Sequence, residues 1–118
     1  MTWYLRTRYE DPRRGEVRER HYLDNGEVWF VVDGERSLRC RFDPSQVDAA
    51  RAAVSTADLH KLPDIAPAET DLATMVYAWS LSGSAGRWVD AAYPQVLPDA
   101  VDHLEEVLLR LEEASEPG

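Results

Sequence analysis

The sequence predicts an α+β fold: a four-stranded antiparallel meander, a helix, a β-hairpin and a C-terminal amphipathic helix, with the helices packed on the sheet. Three observations carry this. Two glycine turn signals, Asp24-Asn25-Gly26 and Asp33-Gly34, separate short runs of β composition. Residues from Thr74 to Ser82 alternate, with Met75, Tyr77, Trp79 and Leu81 on one side. Near the C-terminal end Val101, Leu104, Leu108 and Leu111 recur three and four apart, which is helical spacing.

The first run, Thr2 to Glu10, is rich in aromatic and β-branched residues and stops at Asp11-Pro12-Arg13-Arg14-Gly15, where Pro and Gly interrupt regular pairing. Val17 to Leu23 and Glu27 to Val32 follow, joined by the Asn-Gly pair that accepts positive φ in a tight hairpin. The third run is apolar on both sides, with Val28, Phe30 and Val32 against Trp29 and Val31, and therefore reads as central or doubly covered. The fourth, Arg36 to Phe42, places Leu38, Cys40 and Phe42 on a core face and Ser37, Arg39 and Arg41 on a wet one. Cys40 is read there as a small buried hydrophobe.

Asp43-Pro44-Ser45-Gln46 supplies an N-cap, a proline at the first helical position and a capping-box partner, opening a helix over 43–57. An acidic, proline-containing loop is expected over 58–72. The next hairpin turns on Gly83-Ser84-Ala85-Gly86 and returns as Arg87 to Tyr93. The terminal helix spans 98–114, with Glu112 and Glu113 opposing its dipole and fraying the last turn, and residues 115–118 are expected to be disordered.

A chain of 118 residues with 44% hydrophobic content is the size of one domain with one core. The formal charge of −9 is uneven: through Phe42 nine arginines face eight acids, whereas from Asp43 onward four basic residues face fourteen acids. With a single lysine and this acidity, phosphate backbones repel the chain, so no nucleic-acid partner is expected. No apolar run is long enough for a membrane span, no signal peptide is visible, and one cysteine excludes an intrachain disulfide. The cytoplasm is the expected compartment.

Chemistry-bearing motifs are missing. His21, His60 and His103 have no metal-binding spacing, and the acids around His103 read as a solvated helix face. The sequence holds no phosphate loop, nucleophile elbow or dinucleotide fingerprint, and therefore points to a non-catalytic protein without cofactor or metal. Arginine is the stronger lead. Arg6 and Arg8, Arg18 and Arg20, and Arg39 and Arg41 stand two apart on strands, with Tyr4 and Tyr22 in phase with the first two pairs. Such an Arg-Tyr sheet face can dock a partner protein, as in an adaptor or assembly subunit. Alternatively, these arginines pair with Glu10, Glu16, Glu19 and Glu27 and keep the sheet solvated.

From Asp43 to Leu111 a further pattern emerges: a helix, then Leu59-His60-Lys61-Leu62-Pro63, an acidic loop, a strand bearing Tyr77, a glycine turn, a second strand, and Val96-Leu97-Pro98 opening a leucine helix. This order resembles emfourin-like proteins, small cytoplasmic inhibitors encoded beside thermolysin-like metallopeptidases in bacteria. The resemblance implies a protein partner, a metallopeptidase, and an inhibitory role. In that reading the loop from Leu62 to Leu72, bearing Asp64, Ile65 and Glu69, enters a peptidase groove where carboxylates approach the zinc.

Overall fold

The computed structural model describes residues 2–67, 72–95 and 97–117. Among them seven strands form one antiparallel sheet: β1 (Trp3–Asp11), β2 (Glu16–Leu23), β3 (Glu27–Val32), β4 (Glu35–Arg41), β5 (Ala73–Leu81), β6 (Ser84–Tyr93) and β7 (Glu116–Pro117). Two helices, α1 (Pro44–Ala57) and α2 (Asp99–Glu113), join them, with a short 3-10 turn at Leu59–Lys61. The order across the sheet is β6-β5-β1-β2-β3-β4-β7. The expected α+β class and the four-stranded meander are both present.

The meander runs from β1 outward to β4. α1 then returns the chain to the other edge of β1, where β5 pairs, and β6 adds outside β5. α2 makes the opposite crossing and delivers β7 to β4. Both helices lie on one face of the sheet and against each other. Val47, Ala50, Val54 and Ala57 of α1 and Val101, Leu104 and Leu108 of α2 fill the core above Tyr22, Val28, Cys40 and Tyr77. The capping box at Asp43 forms as its residues require: Asp43 Oδ1 accepts from Gln46 N at 2.8 Å, and Gln46 Oε1 accepts from Asp43 N at 2.9 Å.

Several elements differ from the sequence reading, each for a local reason. The β5–β6 turn is tighter than Gly83–Gly86; β6 begins at Ser84, and Gly83 carries the positive φ of 78°. Gly86 lies within β6, paired with Trp79, and a Cβ there would stand 2.6 Å from Trp79 Cζ2. Residues 116–117 are not disordered: they pair with Arg41 and Cys40, because α2 ends beside the open edge of β4. The last turn of α2 is held at Glu112, which accepts a hydrogen bond from the Tyr22 hydroxyl at 3.1 Å.

Two bulges change the facing of side chains. The β1–β2 register shifts between Trp3 and Leu5, making Tyr4 the extra residue, and the β3–β4 register shifts so that Arg39 is extra. Cys40 and Phe42 therefore remain in the core, while Leu38 pairs with Trp29 on the opposite face. β3 is central in the sheet but covered on one face only.

Candidate functional site

Three regions gather polar or exposed side chains: a network under α2, a groove beside it, and the sheet face that bears no helix.

The network is built around Arg20, which points from β2 to the helix side because it shares the phase of Tyr22. Arg20 Nη1 and Nη2 donate to Glu105 Oε2 and Oε1 of α2 at 2.9 and 2.6 Å, Nε donates to Thr7 Oγ1 at 2.9 Å, and Nη1 also reaches the Tyr22 hydroxyl at 3.2 Å. Tyr77 donates to Glu105 Oε1 at 2.5 Å. Burial works to raise the Glu105 carboxyl pKa, but the Arg20 charge and the bonds from Arg20 and Tyr77 outweigh it and hold the group below its usual value. At Glu112 burial wins over Arg20 and the Tyr22 bond, and the carboxyl is pushed up. Burial likewise raises the phenols of Tyr22 and Tyr77. The network anchors helix to sheet, and its bonds are satisfied internally.

The groove arises because the sheet extends past α2 by one transverse row. Cross-strand pairing lines up Met75, Tyr9, Arg18 and Val32 in that outlying row, next to the covered row of Tyr77, Thr7, Arg20 and Phe30. Tyr93 closes one end, edge-on to Tyr9 at 5.9 Å between ring centroids. The hollow over this row has a volume of about 510 Å3. A second hollow of about 600 Å3 continues it along α2, sharing Arg20, Phe30 and Glu105 and adding Arg39, Leu109 and the acids Asp102, Glu106 and Glu112.

The open face carries the outward phase of the same strands. One row reads Arg87, Ala78, Arg6, His21, Trp29, Leu38 from β6 to β4; the next reads Val89, Val76, Arg8, Glu19, Val31, Arg36. Four arginines thus stand in two rows against one glutamate and one histidine. Arg36 stacks over Trp29 at 4.6 Å and Arg6 over Trp3 at 4.9 Å. Arg6, Arg8, Arg87 and Glu19 line a dent of about 180 Å3 floored by Val76 and Ala78. Rows farther out add Glu10, which lies 3.8 Å from Arg8, and Arg41 between Glu27 and Glu116.

The sequence-derived candidates are thus divided. Arg6 and Arg8 share the open face as expected, and Arg41 lies toward its edge. Arg39 does not join Arg41: the bulge turns it to the helix side, over the Phe30 ring at 5.7 Å. Tyr4 and Tyr22 are not surface residues. Both are fully buried, Tyr4 because its bulge turns it inward beneath Arg51 and Tyr22 because it faces α2. The acids expected to pair with these arginines across strands instead meet neighbours on their own strand: Arg8 lies 3.8 Å from Glu10, Arg18 3.3 Å from Glu16 and His21 3.2 Å from Glu19. In the loop, Ile65 is pinned to β6, donating to Val89 O at 2.9 Å and accepting from Ala91 N at 3.0 Å, and Asp64 Oδ1 accepts from Val89 N at 3.0 Å. Glu69 lies outside the described residues. Sequence reading missed Arg87 and Trp29 as neighbours of Arg6, since only the register of five strands brings them together.

Among the described residues no cluster of His, Cys, Asp and Glu is arranged to hold a metal ion, and no helix is long and apolar enough to cross a membrane. No protein-family model matches the chain, and no curated protein matches it.

Proposed function

We propose that the chain is a non-catalytic binding domain that docks an acidic segment of a partner protein on the open face of its sheet. One observation carries the reading: Arg6, Arg8, Arg36 and Arg87 stand in two adjacent rows with Trp29 on a face that bears no helix, in a chain whose net charge is −9. Guanidinium groups and an indole supply planar hydrogen-bonding and stacking area, the composition enriched at protein interfaces. The acidic helix side repels the same partner, so complementarity orients the encounter.

A thermolysin-like metallopeptidase is the partner suggested by the resemblance over Asp43 to Leu111, and inhibition is the form the contact would then take. Affinity capture from the source cells, with bound proteins identified, compares wild type with R6E/R8E/R87E and with a chain whose residues 62–72 are replaced by a Gly-Ser linker. The expected result is loss of the partner on charge reversal, retention on loop replacement, and unchanged circular dichroism in both. Retention after charge reversal overturns the open-face reading. Loss on loop replacement alone, with wild type slowing peptide cleavage by thermolysin, would establish a loop-mediated inhibitor instead.

A further inference from the structure

The groove beside α2 has no part in the open-face contact, since it lies on the opposite side of the sheet. Its lining departs from what solvation alone would select. Val32 and Leu109 are 44% and 54% exposed and border its two halves, although large aliphatic side chains are otherwise mostly covered in this chain. Phe30, Met75 and the Tyr9–Tyr93 pair continue the apolar surface between them. A hollow of about 510 Å3 is within the size range of small-molecule sites, which are mostly apolar with a few placed polar groups.

The polar groups define the ligand. Arg20 lines the hollow but is already bound in bidentate fashion by Glu105, so it has no net charge to offer. Arg18 stands in the middle of the outlying row, between Tyr9 and Val32. Its side chain is 58% exposed, and its ion pair with Glu16, on the same strand, is solvent-accessible and contributes little. A guanidinium has five donors, and one carboxylate leaves most of them open. This end of the groove is therefore apolar with one available cation, whereas the end along α2 sets three acids, Asp102, Glu106 and Glu112, against the single cation Arg39 and is acidic on balance.

We infer that the groove binds a small aromatic carboxylate, its ring seated on Tyr9, Met75, Phe30 and Val32 and its carboxylate on the Arg18 guanidinium. The excess of acids at the other end disfavours the carboxylate there and sets the direction in which the ligand lies. Charge-assisted, bidentate pairing of Arg with a carboxylate supplies the orientation, and the apolar floor supplies burial.

Titration of the whole chain with 3-phenylpropanoate, followed by amide proton–nitrogen NMR, tests this against the matched 3-phenylpropanamide and 3-phenylpropylamine. The expected result is saturable shifts at Arg18, Phe30 and Val32, with the carboxylate binding at least about tenfold more tightly than the amide, the scale of one charge-assisted contact. R18Q and V32E should each weaken it by a similar factor while remaining folded, and R6E/R87E should leave it unchanged. Absence of saturation up to about 10 mM overturns the site. So does tighter binding of the amine, which would place the ligand on the α2 acids, or shifts confined to Arg6, Arg8 and Arg87, which would place the anion on the open face.

Discussion

The Arg20 guanidinium on β2 grips Glu105 on α2 through two hydrogen bonds of 2.9 and 2.6 Å, with side chains only 19% and 33% exposed. Taking one partner away strands the other in a poorly solvated place. E105Q is expected to cost about 3 kcal/mol, while R20M/E105L, which removes both charges, should recover most of that loss. Urea unfolding midpoints of the two variants check it. Equal destabilisation by both would mean that the bonds, and not the uncompensated charge, set the cost.

Glu105 and Glu112 sit two turns apart on α2, and burial favours the neutral form of each. Arg20 and Tyr77 reverse that preference at Glu105, so its contribution to stability is complete above the unfolded value of 4.5 and disappears as pH falls through the lower folded value. Glu112 has the opposite sign. Its folded-state value is raised, so ionising it as pH rises from 4.5 costs stability. E112Q keeps an acceptor for the Tyr22 hydroxyl and should raise stability at neutral pH. E105Q should flatten the acid-side decline. Denaturation curves collected across that pH range separate the two.

Tyr4 and Tyr22 are packed together at 6.2 Å between ring centroids, yet their hydroxyls differ. The Tyr4 hydroxyl has no hydrogen-bond partner among the described residues, whereas that of Tyr22 links Arg20 to Glu112. Y4F should therefore be neutral or stabilising by up to about 1 kcal/mol, and Y22F should cost about 1–2 kcal/mol. Thermal unfolding of the pair is a direct comparison, since both substitutions remove one oxygen from a fully buried ring.

Gly86 pairs with Trp79 near the β5–β6 turn, with its backbone close against the buried indole. G86A forces the indole or the strand to move and should cost about 1–3 kcal/mol. G83A tests a different cause, the positive φ of 78° with open space around it. The second substitution should leave Trp79 fluorescence unchanged, and the first should shift it.

Local chemistry was readable before the fold was known. The capping box at Asp43 and Gln46, the apolar stripe of α1 and the Asp33-Gly34 turn, where both residues take positive φ, depend on neighbours within a few residues, and each forms as expected; at Asn25-Gly26 only the glycine takes positive φ. Facing was not so readable. An alternation rule counts in twos, and one extra residue at Tyr4 and another at Arg39 move side chains to the other side of the sheet without any mark in composition. This is why Tyr4 was expected beside Arg6 and Arg39 beside Arg41. The open face needed the register of β6, β5 and β1 to bring Arg87 to Arg6, and the groove needed the width of α2 relative to the sheet. A partial signal existed for the groove: Leu109 falls outside the stripe of Val101, Leu104, Leu108 and Leu111, an apolar residue without a place in the core.

The position of β1 inside the sheet, between β5 and β2, has a consequence for the order in which the domain assembles. Its pairing with β2 is available as soon as the first hairpin exists, but its other edge must wait for β5, with Leu5 meeting Trp79 and Thr7 meeting Tyr77. Until then the meander presents a bare strand edge next to Leu5 and Tyr9, with no helix yet above them. Long-range closure of this kind is slow compared with hairpin formation, and an unpaired apolar edge is the usual template for wrong association. The interval between β4 and β5 is therefore when the nascent chain is most exposed to aggregation, and α1, whose capping box forms locally, is the element that shortens it.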